Sequence, residues 1–148
     1  MKWKKFSKAE GGAAAIEFAV IGAFLCMTVV ATGDLGMGFY SYMQVQNSAQ
    51  AGAQYAAVHG FNSGQIASAV TNATSVAGVT ASPAPTQYCG CASGTTVSNA
   101  ACGTTCPDGM TAGTYVTASA VRDYTTLVSW PMFPASYHQT ATSTVRIQ

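Results

Sequence analysis

Charge is what this sequence has least of. Charged residues make up 7% of its 148 positions, against about 25% in an ordinary soluble domain. Acid–base chemistry needs titratable side chains held close together, and the chain has two histidines, His59 and His138, and five carboxylates. The patterns G-x-S-x-G, H-E-x-x-H and the P-loop do not occur. His138 reads as a solvated strand residue and Arg122-Asp123 as an exposed pair. An enzyme is therefore not expected, nor a cofactor. Beyond the N-terminal tail the only cations among Lys and Arg are Arg122 and Arg146, which leaves no basic patch for nucleic acid. Large aliphatic side chains are sparse too. The apolar share is 49%, but much of it is alanine, with glycine, serine and threonine between. Such a chain buries little apolar surface per residue, so its folded part needs a further source of stability.

What the sequence does have is one long apolar run, residues 13–31, behind a basic tail of Lys2, Lys4, Lys5 and Lys8. As a helix rising about 1.5 Å per residue the run spans about 28 Å, the thickness of a bilayer core. The lysines place the N-terminus in the cytoplasm. A cleaved signal peptide is one alternative, although its apolar region is normally about 7–15 residues. A plain anchor is another, but it leaves Glu17 unexplained. A carboxylate inside a membrane costs about 2.5–3.5 kcal/mol on insertion scales and marks a functional position by default. The bland account is that Glu17 lies shallow enough to reach the headgroups.

Residues 8–18 read K-A-E-G-G-A-A-A-I-E-F. A glycine closes a charged leader, an apolar run follows, and its fifth residue is a glutamate with an aromatic next. This resembles the processing site of type IV pilin-like proteins, and more narrowly the start of the TadE-like family, minor pilins of the tight-adherence (Tad/Flp) pilus system. The resemblance implies a cut by a prepilin peptidase between Gly12 and Ala13, with Glu17 and Phe18 as the assembly motif. It also implies partners: inner membrane lipid, that peptidase, and other pilin or pseudopilin subunits.

Beyond Thr32-Gly33-Asp34, read as the membrane exit, the helical pattern continues. Tyr42, Val45, Ala49, Ala53 and Ala56 share one face; Gln44, Asn47 and Gln54 lie opposite. One helix is expected from about residue 13 to His59, with Gly60 as its left-handed cap. The small-residue row Ala49, Gly52, Ala53, Ala56, Ala57 serves either close approach of another helix or packing on the chain's own C-terminal part. A second helix is expected over 66–76 with Ser63 as N-cap. Strands are expected over 114–124 and 137–147, the latter with Ala141, Ser143, Val145 and Ile147 on one face. The bulky loop Trp130-Pro131-Met132-Phe133-Pro134 between them is expected to cap the core.

Cys26 falls in the apolar run and reads as an inert small residue. Cys89, Cys91, Cys102 and Cys106 cluster as C-x-C and C-x-x-x-C. In an oxidising compartment this reads as two disulfides between the pairs, stapling a hairpin over 86–110 with its tip near 94–99. Zinc bound by four thiolates is the rival, and C-x-C fits it less well.

The expected fold is α+β: a long N-terminal helix, transmembrane and continuing into the periplasm, then a small disulfide-stapled, β-rich C-terminal domain. The expected division is a leader over 1–12, a span over 13–31, a helical extension over 32–60 and an exported domain over 61–148. The expected protein is a single-pass inner-membrane minor pilin or pseudopilin that takes part in assembling a Tad-type pilus for surface adhesion. The alternative is a membrane-tethered exported binding module that is neither processed nor built into a pilus.

Overall fold

A computed structural model describes residues 10–129 and 134–147. The leader lysines and the residues Trp130, Pro131, Met132 and Phe133 lie outside the described residues. The element order is α1 (Glu10–His59), α2 (Ser63–Asn72), β1 (Thr86–Ser93), β2 (Thr96–Asn99), β3 (Gly113–Thr125) and β4 (Ser136–Arg146). The α+β expectation holds: a long apolar helix precedes a small antiparallel sheet domain with two disulfides. The chain divides into two compact units, Met1–Met37 and Gly38–Gln148.

In the first unit the described residues form the N-terminal part of α1. No proline interrupts α1. The side chains of Ile16, Phe18, Val20, Phe24, Leu25 and Val29 are all exposed. Thr28 and Thr32 turn their hydroxyls back onto their own helix, Thr28 Oγ1 donating to Leu25 O and Thr32 Oγ1 to Thr28 O, each at 2.8 Å. Asp34, expected near the headgroups, is buried.

The second unit is built on a four-stranded sheet in the order β2-β1-β3-β4, each neighbouring pair antiparallel. The later turns of α1, with α2, cover one face of it. Val45, Ala49, Ala53 and Ala56 from α1, Ile66 and Val70 from α2, Val79, and Val116, Ala118 and Ala120 from β3 make the core. Alternate residues of a strand share a face, so β3 gives this core its even positions and β4 gives Ala141 and Val145. Nearly all these side chains are small, so the backbones must come close. At Gly52 a Cβ would stand 2.5 Å from Val70 Cγ2 and 3.0 Å from Ala118 Cβ. The small-residue row thus packs on the chain's own domain; Ala57, at its end, is exposed.

Several local expectations need correction. Val45, Ala49, Ala53 and Ala56 lie on the buried face of α1 as expected, joined there by Ser41, Ser48 and Gly52, but Tyr42 is exposed. Gln44 is half-buried and accepts a hydrogen bond from Thr74 Oγ1 at 3.0 Å. The N-cap of α2 is Asn62, whose Oδ1 accepts from Gln65 N at 3.1 Å. Ser63 instead donates to Pro85 O. Gly60 does close α1, with φ +78° and its N–H bonded to Ala56 O at 2.9 Å.

Candidate functional site

Gly12, Ala13, Glu17 and Phe18 all lie within the helical span of α1. Gly12, Glu17 and Phe18 are exposed. One turn on from Ala13, Glu17 sits among Ile16, Val20 and Ile21, apolar side chains that are themselves exposed. A carboxylate so placed has apolar neighbours and no polar shelter from its own helix.

In the second unit the four clustered cysteines pair as Cys89–Cys102 and Cys91–Cys106, with Cα–Cα distances of 5.2 and 5.6 Å. C-x-C on β1 places both sulfurs on one face of the strand. The segment after β2 then lies along that face and receives them in order. The β1–β2 hairpin turns at Gly94, with φ +60°. The staples do not cross it; they tie residues 100–112 back to β1. That segment makes its own small turn, with Cys106 N donating to Met110 O at 2.7 Å and a bridge between Thr105 and Thr111. Loops of this size contribute about 3 kcal/mol per disulfide in the chain-entropy model, which supplements a core of alanine and valine.

Where the chain enters the second unit, a polar network closes the core. Ser41 Oγ donates to Gln139 Oε1 at 2.6 Å and accepts from Arg122 Nη1; Gln139 Nε2 donates to Gly38 O at 3.0 Å. Arg122 is therefore not paired with Asp123. Neighbours along a strand point to opposite faces, so Asp123 emerges on the far side. There it meets His138, Nδ1 to Oδ1 at 2.6 Å, in a largely exposed pair. Sequence reasoning missed Ser41 and Gln139. The signal available was the alternation of β3, which sends Arg122 inward toward whatever acceptor α1 offers.

A shallow groove of about 390 Å³ runs between Tyr42, Gln46 and Gln50 of α1 and residues 140–143 of β4. Its lining is mainly polar. Among the described residues no three histidines, cysteines or carboxylates gather as metal ligands would.

Among the described residues one helix is long and apolar enough to cross a membrane. Followed by a disulfide-stapled sheet, it fits a single-pass anchored protein. Residues 12–54 match the model of the TadE-like protein family. The match opens on Gly12, includes Glu17 and Phe18, and runs through the apolar stretch into the buried face of α1. The resemblance read at residues 12–18 thus extends over the greater part of the long helix. This family suggests a protein associated with the Tad pilus and its other components, and it is not an enzymatic one as a kind. No curated protein and no solved structure matches the chain.

Proposed function

We propose that this chain is a membrane-anchored minor pilin or pseudopilin that takes part in assembling a Tad-type pilus used for surface adhesion. Its N-terminal tail lies in the cytoplasm, residues 13–31 cross the inner membrane, and the stapled domain is exported. A prepilin peptidase removes residues 1–12. The observation that carries this reading is a TadE-like match that begins at Gly12 and covers an exposed apolar helix with Glu17 in its first turns.

The chemistry follows from the cost of isolated charge. Cleavage after Gly12 exposes an α-amino group on Ala13, cationic at neutral pH. In lipid neither that amine nor the Glu17 carboxylate is stable alone. Paired between neighbouring subunits, each satisfies the other, and the penalty for a mismatched pair favours one axial offset. Phe18, beside the carboxylate, adds apolar surface to that contact.

The test is the intact mass of the membrane form, from cells with and without the prepilin peptidase. We expect loss of residues 1–12 only where the peptidase is present. A full-length chain in both strains would sink the pilin reading and leave a tethered binding module, for which the exposed stapled pole is the natural contact surface. A cut beyond residue 31 would make the protein an exported soluble one.

A further inference from the structure

The sheet of the second unit ends at β2 on one side and at β4 on the other, and among the described residues no strand pairs with either outer edge. At β4 the free edge is long. The strand has 11 residues, and its register with β3 runs through all of them without a bulge. Thr126 N donates to Ala135 O at 3.0 Å and Ile147 N to Thr114 O at 2.9 Å, continuing that register past both ends. The odd-numbered residues of β4 therefore bond to β3. In an antiparallel ladder the alternate residues turn their N–H and C=O the other way, so His138, Thr140, Thr142 and Thr144 point theirs outward. Folded proteins blunt such an edge with lysine, proline or a bulge. Residues 136–145 hold neither lysine nor proline. Beside residues 140–143 the groove lined by Tyr42, Gln46 and Gln50 keeps the edge open, and no charged side chain lines it.

β2 has the complementary form. It is 4 residues long, Thr96–Asn99, and so matches the stretch of β4 that borders the groove. Ala100 N donates to Cys89 O at 3.0 Å. The even-numbered residues of this strand therefore face β1, and Val97 and Asn99 turn their backbone groups outward. β2 runs against β1, β1 against β3 and β3 against β4, so the two outer strands run in opposite directions. A second copy set beside the first in the same orientation brings its β2 antiparallel to β4. We infer that the outer edge of β4 receives β2 of a second copy of this chain, with Thr140 opposite Asn99 and Thr142 opposite Val97 of that copy. Its Ser98 and Thr96 then lie opposite Ala141 and Ser143, where Gln46 and Gln50 can bond their hydroxyls. No like charges meet at the seam, because neither β2 nor residues 139–145 carry any. Two β4 strands paired about a twofold axis would leave both β2 edges bare and close after two copies. Joined β4 to β2, each copy uses both of its edges, and addition can continue.

This inference goes beyond the pilin reading and stands whether or not the leader is cut. The full-length chain is placed in liposomes of phosphatidylethanolamine and phosphatidylglycerol, as an equal mixture of unlabelled and heavy-isotope copies. A diazirine amino acid replaces Thr140 or, as a control, Met110, which is 61% exposed and lies on neither outer strand. After illumination, crosslinked peptides are mapped by mass. We expect position 140 to join residues 96–99 of the other isotopic copy, well above any crosslink from position 110. Thr142→Pro removes one outward N–H and no bond to β3, and should lower that crosslink about tenfold. Thr142→Val keeps the N–H and should leave it in place. Crosslinks from 140 to β4 of the other copy, to lipid or to a different protein, or none between copies, would each overturn the inference and leave the pilin reading standing. So would a crosslink undiminished in Thr142→Pro. If that variant melts at a lower temperature, the map from position 140 in the otherwise unchanged chain decides alone.

Discussion

One helix in this protein follows two rules. Before Gly38, α1 shows large apolar side chains on every side and leaves them exposed. After Gly38, it turns a row of serine, valine, alanine and glycine inward and keeps Gln46, Gln50 and Gln54 outward. The backbone is the same; in the anchored reading proposed above, the medium differs. In water, an α-helix needs one apolar stripe, and close packing of that stripe sets side-chain size position by position. In lipid, apolarity is required all round and size is free. The same residue type therefore means different things in the two stretches, and substitutions at matched positions separate them.

The largest effect is expected at the cysteines. Replacing Cys91 and Cys106 together by serine should lower the stability of the domain by about 3 kcal/mol, read as the urea midpoint of the oxidised protein. Cys26→Ser, in the exposed part of α1, should leave that midpoint where it was. Next come the glycines. Gly52→Val puts a branched side chain where even a Cβ meets Val70 at 2.5 Å and should cost about 1–3 kcal/mol. Gly22→Val has nothing within 4 Å and should leave the domain's melting temperature unchanged. If both substitutions behaved alike, the two rules would be one.

The serines give the finest comparison. Ser41→Ala strips an acceptor from Arg122 and a donor from Gln139, and should cost about 1–3 kcal/mol. Ser48→Ala, one helical row on, removes a buried hydroxyl that has no hydrogen-bond partner. It should be neutral or stabilise by a few tenths of a kcal/mol. Calorimetry on the two variants side by side would reverse this ordering only if Ser48 held a bond that the helix does not reveal.

Much of this was legible in the sequence. The length and end of α1 followed from the apolar run, the absence of proline and Gly60. The two long strands followed from their β-branched alternation. Four clustered cysteines foretold two staples between the pairs, but which sulfur meets which depended on the path of residues 100–112, with its turns at Gly103 and Gly109, rather than on spacing. Asn62 and Ser63 are both good caps, and sequence could not rank two neighbours of one type; the serine hydroxyl was claimed by Pro85. On the face read for α1, Val45, Ala49, Ala53 and Ala56 are core residues and only Tyr42 was misplaced, because it looked like an anchor. In a core this tight, Ser41 fits and a tyrosine does not. Arg122 and Asp123 looked like a pair only because they are adjacent, and adjacency on a strand is separation.

The back-bonded hydroxyls of Thr28 and Thr32 have a consequence for traffic between environments. Their hydrogen bonds close within α1, so the helix carries that solvation with it. On the proposed function, leaving lipid for a bundle of protein helices would exchange one set of dispersion contacts for another of similar strength, with no hydroxyl to strip and re-satisfy at those two positions. The helix is solvent-portable there, and the proposed function leaves the direction of such a transfer to Glu17, where the two surroundings would differ.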